Sequence, residues 1–158
     1  LNKHLRQVWE ETEIQENPAL VPEFACGYYL SIVKNHPNPD LHVIFYKKRE
    51  DGDEISQKTN RAHEETHVLH QAGRLDLLQR RMYDFGVYID LSQFPPALKC
   101  SERQKEVVAQ LGAIHTVHRL TRKVPKKLLC STRFYQEFSD EALKMYTKGA
   151  KGEVIYVK

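Results

Sequence analysis

Three residues at one spacing carry the chemistry this chain could do: His63, Glu64 and His67. They lie in the run Asn60-Arg61-Ala62-His63-Glu64-Glu65-Thr66-His67-Val68-Leu69-His70-Gln71-Ala72-Gly73. On a helix, residues four apart stack on one face, so His63 and His67 would offer two imidazoles to a single metal ion. Glu64 is offset sideways from that face. It would reach a water on the metal rather than the metal itself, which is the general-base position of a zinc hydrolase. With 8 His and 14 Glu in 158 residues, chance places His, Glu and His at these offsets in about one such chain in thirty, so the surroundings must add support. They do so locally: Gly73 offers a C-cap, Thr59 or Asn60 an N-cap, and no helix breaker lies between.

Two histidines hold zinc poorly, and a catalytic site takes a third protein donor while keeping one position for water. His70 shares the face of His63 and His67. A rise of ~1.5 Å per residue sets it about 10 Å from His63 along the axis, too far for ligands that each sit ~2 Å from one ion. It is a candidate to line the cleft, with plain packing as the alternative. A helix opening at Ser101 can pack across from the motif, and it carries Glu102, Glu106, His115 and His118. Glu106 leads, because Ala109 and Ala113 share its face and would let two helices come close. At about 100° per residue, His115 is turned half a revolution from Glu106 and His118 about a third, so neither joins it at one metal. Glu102 lies on the right face but in the first turn, where interaction with the helix dipole is the default. Asp84 and Asp90 are further acidic alternatives. Charge developing on a tetrahedral intermediate needs another donor, for which Tyr83, Tyr88, His115 and His118 are candidates that the sequence does not rank.

These side chains require a scaffold, and the order of patterns along the chain supplies one. Residues 1–23 read as a packing arm, with Leu5, Val8 and Trp9 on one face of a short helix before Asn17-Pro18 and Val21-Pro22. Residues 26–33 and 41–47 are rich in aromatic and β-branched side chains and flank a turn-forming stretch, so they are expected to pair as neighbouring strands. A second turn over 50–53 and a short lead-in deliver the motif helix. Leu75, Leu78 and Met82 mark another helix ending near Gly86, and residues 87–91 alternate like a strand that Pro95-Pro96 ends. Ser101 with Gln104 fits a capping box, and Val107, Val108, Leu111, Ile114, Val117 and Leu120 form an apolar stripe up to Pro125. Ser131 or Thr132 would cap a last helix carrying Phe134, Phe138, Ala142 and Met145 and ending by Gly149, and residues 153–157 read as a closing strand. The expected fold class is α+β, with a short, mostly antiparallel sheet packed on the motif helix and on a second, ligand-bearing helix.

Composition agrees with an ordinary soluble chain, at 41% hydrophobic and 28% charged residues. A single domain over 1–158 is expected, made of the arm (1–23), a catalytic core (26–125) and a C-terminal helix and strand (126–158). Apolar runs fall far short of the ~18 residues that cross a bilayer and no leader is evident, so a cytoplasmic protein without a membrane partner is expected. Cys26, Cys100 and Cys130 are odd in number and lack CxxC spacing, which points to buried thiols rather than a disulfide framework or a thiolate zinc knuckle. The net charge of +3 is too small to imply nucleic acid. Arg119, Arg122, Lys123, Lys126 and Lys127, with Lys47, Lys48 and Arg49 as a smaller group, read as solvated helix ends, nucleic-acid contact being the alternative.

Arg61-Ala62-His63-Glu64-Glu65-Thr66-His67, followed 39 positions later by Glu106-Val107-Val108-Ala109-Gln110-Leu111-Gly112-Ala113, resembles the ImmA/IrrE group of zinc metallopeptidases over roughly residues 26–125. There HExxH is followed by a second helix with an ExxAN-like ligand motif, and strands precede the first. The resemblance implies a small zincin-like metallopeptidase domain with a compact gluzincin-like fold, zinc on His63, His67 and Glu106, and a protein or peptide substrate, a transcriptional repressor in some members. Gln110 stands where Asn is usual, Glu65-Thr66 replaces a small and apolar pair, and no helix-turn-helix module accompanies the stretch. The chemistry expected is hydrolysis of a peptide bond by metal-activated water, with Glu64 taking the proton and passing it to the leaving amine. The alternatives are a metallopeptidase-like binding or regulatory module without turnover, against which the presence of Glu64 counts, and a nucleic-acid-associated protein using residues 119–127.

Overall fold

The computed structural model describes residues 54–128 and 133–158, apart from the Phe134 side chain. It also describes the backbone of strands β1 (Thr12–Gln15), β2 (Gly27–Ser31) and β3 (His42–Tyr46). Four helices follow: α1 (Glu54–Gln71), α2 (Leu75–Asp84), α3 (Glu102–Thr121) and α4 (Arg133–Ala150). A two-residue strand β4 (Ile89–Asp90) pairs with β5 (Ile155–Tyr156), and a 3-10 turn spans Ala97–Lys99. The fold is α+β and dominated by helix. None of the described helices is long and apolar enough to cross a membrane.

β3 lies between β1 and β2. The expected neighbours β2 and β3 pair antiparallel, with Tyr29 opposite Ile44. The expectation of a mostly antiparallel sheet is corrected: β1 runs parallel to β3 and β4 runs parallel to β5. β1 also lies within the stretch expected to be a packing arm, where Thr-Glu-Ile-Gln joins the ladder beside β3. The short helix expected around Leu5, Val8 and Trp9 lies outside the described residues, as do Ser131, Thr132, Cys26 and Cys130.

The motif helix starts earlier than its local cap signals indicate. Glu54 opens it, with an acidic side chain suited to the positive helix end and an ion pair to Lys58 at 2.9 Å. Thr59 is therefore interior, and its hydroxyl donates back to the Ile55 carbonyl at 2.7 Å. The other end is as expected. Gly73 takes φ +69°, its N–H donates to the His70 carbonyl, and the Arg74 N–H donates to the Leu69 carbonyl, the paired bonds of a Schellman stop.

α3 begins with the expected reciprocal capping box between Ser101 and Gln104. It is not a one-sided amphipathic helix, however. Val107 to Thr116 are all buried, so this segment passes through the middle of the molecule, packed by α1 on one side and by α4 on another. Leu120, expected on the stripe, is 40% exposed, because it lies beyond the reach of those neighbours.

The close approach of α1 and α3 centres on Gly112. A methyl group there would stand 1.8 Å from Thr66 Oγ1, so only a residue without a side chain lets the two backbones meet. Ala109 and Ala113 line the same contact and are fully buried. α1 also packs on β2 and β3, which seats it between the sheet and α3. Phe138, Ala142 and Tyr146 of α4 close the other side of the core with Val108, Leu111, Ile114, Val87 and Ile89. The end of α4 is tied to the β4 segment by the Tyr88 N–H donating to the Gly149 carbonyl at 3.1 Å.

Candidate metal centre

Because α1 and α3 cross at Gly112, the side chains about two turns earlier on α3 and one turn earlier on α1 face each other. His63 Nε2 lies 3.0 Å from Glu106 Oε2, and His67 Nε2 lies 3.3 Å from Glu106 Oε1. The two imidazole nitrogens are 3.2 Å apart, and one candidate ligand atom from each residue falls within 4.8 Å of the others. Each of the three side chains retains 12–13% of its exposure, so the cluster is recessed and still open to solvent.

The chemistry of this donor set suits a divalent cation. His63 Nδ1 lies 2.7 Å from the amide oxygen of Gln110, which can only accept, so Nδ1 carries a proton and Nε2 is the nitrogen turned to the cluster. Nε2 faces Glu106 Oε2, a buried acceptor 3.0 Å away. Either a proton on Nε2 or a cation between the two atoms satisfies this contact. Burial opposes charge on His63, yet the carboxylates of Glu106 and Glu64 and the Gln110 amide draw its pKa up to about 9. Burial likewise opposes charge on Glu106, and the two histidines more than offset it, holding this carboxyl well below the usual range. Two imidazoles and one carboxylate, each keeping some exposure to solvent, form a donor set that could hold a metal ion.

Glu64 projects beside the cluster. It is 5% exposed and its Oε2 has no hydrogen-bond partner. Burial raises its pKa, the charges of His63 and His67 pull against that rise, and Glu106 adds to it. A buried carboxylate raised in this way is suited to taking up a proton.

The remaining candidates go elsewhere. His70 does not line the cluster: it is 3% exposed, with Nε2 donating to the Pro95 carbonyl at 2.9 Å and its ring against Phe94, so it fastens the loop before α3. Cys100 donates to the same carbonyl and is half-buried, not a fully buried thiol. Tyr83 and Tyr88 stack edge to face on each other at 5.6 Å beside the β4–β5 pair. His115 and His118 both bond the Tyr146 hydroxyl, 2.8 Å from each Nδ1. Glu102 is exposed and pairs with Lys105, and Asp90 accepts from the Ser92 N–H. Asp84 is exposed at the end of α2.

Three contributors were not foreseen. Gln110, noted in the sequence only as a departure from a motif, sits one turn beyond Glu106 and holds His63; its i+4 spacing was the available signal. Ser139 of α4 accepts from the Gln110 amide nitrogen, and its hydroxyl donates to the Tyr135 carbonyl at 2.9 Å. Tyr135 sets its ring edge-on to His63, with centroids 5.9 Å apart. No local pattern marks the last two, because the packing of α4 on α3 brings them there. Glu65 and Thr66, the unusual pair inside the motif, have structural roles: Glu65 accepts from Arg61 at 3.1 Å and Thr66 meets Gly112.

No family model, no curated protein and no solved structure matches the chain.

Proposed function

We propose that this protein is a zinc-dependent metallopeptidase of zincin-like build. The observation that carries the reading is the convergence of His63, His67 and Glu106 from two helices, with Glu64 unpaired beside them. The order of strands, HExxH helix and carboxylate-bearing helix supports the same reading. Zinc in this position would acidify a water and polarise the scissile carbonyl. His63, His67 and Glu106 would hold the ion, and the buried Glu64 would take a proton from that water and deliver it to the leaving amine. Tyr135 sets its ring edge-on to His63 and is, among the described residues, an aromatic side chain in contact with the cluster. The substrate in this reading is a protein or peptide, a repressor protein being the first class to try. The compartment is the cytoplasm, where the free thiol of Cys100 is at home.

The test is Glu64→Gln, with zinc content and peptide cleavage measured in parallel. The unaltered protein is expected to bind one equivalent of zinc and to cleave, and the variant to keep the zinc while losing about 10²–10⁴-fold in turnover. Failure of the unaltered protein to take up zinc would overturn the reading, as would equal cleavage by both forms.

A further inference from the structure

We propose that Gln110 and Ser139 are positioning residues that fix which nitrogen of His63 is offered to the metal, so that α4, which supplies no ligand, governs the metal-binding state of α1. The inference rests on the metal-site reading above.

The polarity of the chain is set at its far end. The Tyr135 carbonyl can only accept, so the Ser139 hydroxyl 2.9 Å away spends its single hydrogen there. The Ser139 oxygen is then left as an acceptor, and it takes a hydrogen from the Gln110 amide nitrogen. That orients the amide, turning Oε1 toward His63 Nδ1 at 2.7 Å. An amide oxygen accepts, so Nδ1 holds its proton, and Nε2 is the nitrogen whose lone pair is offered when a cation displaces the proton there. The opposite amide orientation would give Nδ1 a donor, move the imidazole proton to Nε2 and block the metal face. It would also set the amide oxygen against a Ser139 oxygen whose hydrogen is already committed.

Burial makes this arrangement stiff. Ser139 is fully buried and Gln110 is 5% exposed, so water competes poorly for either. Gln110 serves where a carboxylate would serve less well. A neutral amide orients the ring without adding a third negative charge beside Glu64 and Glu106, and its two ends differ, which is what transmits direction.

The experiment uses the full chain with Gln110→Met, Gln110→Glu and Ser139→Ala. Zinc affinity is read by competition with a chromophoric chelator, and the His63 ring by two-bond proton–nitrogen correlation in histidine-labelled, zinc-loaded protein. The unaltered protein should show a protonated Nδ1 and metal on Nε2. Gln110→Met should weaken zinc roughly 10–100-fold, Ser139→Ala less, and Gln110→Glu should retain the Nδ1 proton because it retains an acceptor. A purely structural role would weaken Gln110→Met and Gln110→Glu alike, and that result overturns the proposal, as does an unchanged affinity and ring signature in Gln110→Met. Should Gln110→Met fail to fold, Ser139→Ala against Gln110→Glu decides: a lower affinity in the first with the Nδ1 proton kept in the second supports the chain, and any other pattern overturns it. A wild-type chain that binds no zinc overturns the metal-site reading itself, before any variant is compared.

Discussion

The same helix carries one end of two histidine pairs, and they have opposite fates. Toward the start of α3, Glu106 meets His63 and His67 of α1. Toward its end, His115 and His118 meet Tyr146 of α4. Both clusters hold two imidazoles within hydrogen-bonding reach of one oxygen-bearing side chain. The difference lies in what that side chain can do. A phenol has one hydrogen and can accept as well, so Tyr146 donates to one ring and accepts from the other, and both rings are satisfied. A carboxylate only accepts, so Glu106 draws a proton or a cation toward the two imidazoles. Phe85 seals the second pair, with its ring 5.7 Å from His115 and 4.9 Å from His118. Burial, then the nearby charges of Arg81, Arg119 and His118, push the His115 pKa down to about 3, whereas that of His63 is drawn up. In the proposed reading, a pair of histidines serves a metal when the third group is a pure acceptor and solvent can reach it. It becomes core when the third group can complete the hydrogen bonds.

The comparison breaks most sharply at Glu106. Glu106→Gln should reduce zinc affinity by more than the roughly 10–100-fold that loss of an outer partner costs, while His118→Gln leaves zinc stoichiometry unchanged in the same metal analysis. Equal losses in the two variants would erase the distinction. A smaller effect follows at the crossing point that serves the first pair alone. Gly112→Ala places a methyl 1.8 Å from Thr66 Oγ1 and should cost about 1–3 kcal/mol in denaturant unfolding. It should weaken zinc as well, because Glu106 is pushed away from α1, and adding Thr66→Ala should recover part of both.

The second pair answers to pH rather than to metal. His115 has a folded pKa near 3, below its unfolded value of about 6.5, so between these values the unfolded chain binds more protons. Its contribution to stability is complete above about pH 6.5 and is lost as pH falls, at up to ~1.4 kcal/mol per unit. Urea midpoints between pH 7 and pH 4 should therefore fall less steeply in His115→Gln than in the unaltered protein. Tyr146→Phe removes the shared hydroxyl and should cost about 1–3 kcal/mol at pH 7 without altering zinc binding. Loss of zinc in that variant would show that the two clusters are coupled.

Much of the His63, His67 and Glu106 cluster was legible because it obeys helical arithmetic. His63, Glu64 and His67 are a local spacing, and Glu106 followed from facing helices and small neighbours. The Ser101 capping box and the Gly73 stop are likewise short-range signals, and both are present. The start of α1 was misplaced because Thr59 can bond backward inside a helix as readily as it caps one. The sheet was misjudged because parallel pairing of β1 with β3 joins segments far apart in sequence, which no alternation pattern specifies.

The sequence by itself determined which groups share a helix face, since a fixed rise and rotation per residue leave no choice there. Tertiary structure decided which faces meet. It put Gly112 against Thr66, turned Gln110 and Ser139 into supports for His63, and gave His115 and His118 to Tyr146 rather than to a metal. Those outcomes depend on contacts between residues tens of positions apart, where packing shape rather than backbone geometry chooses the partner.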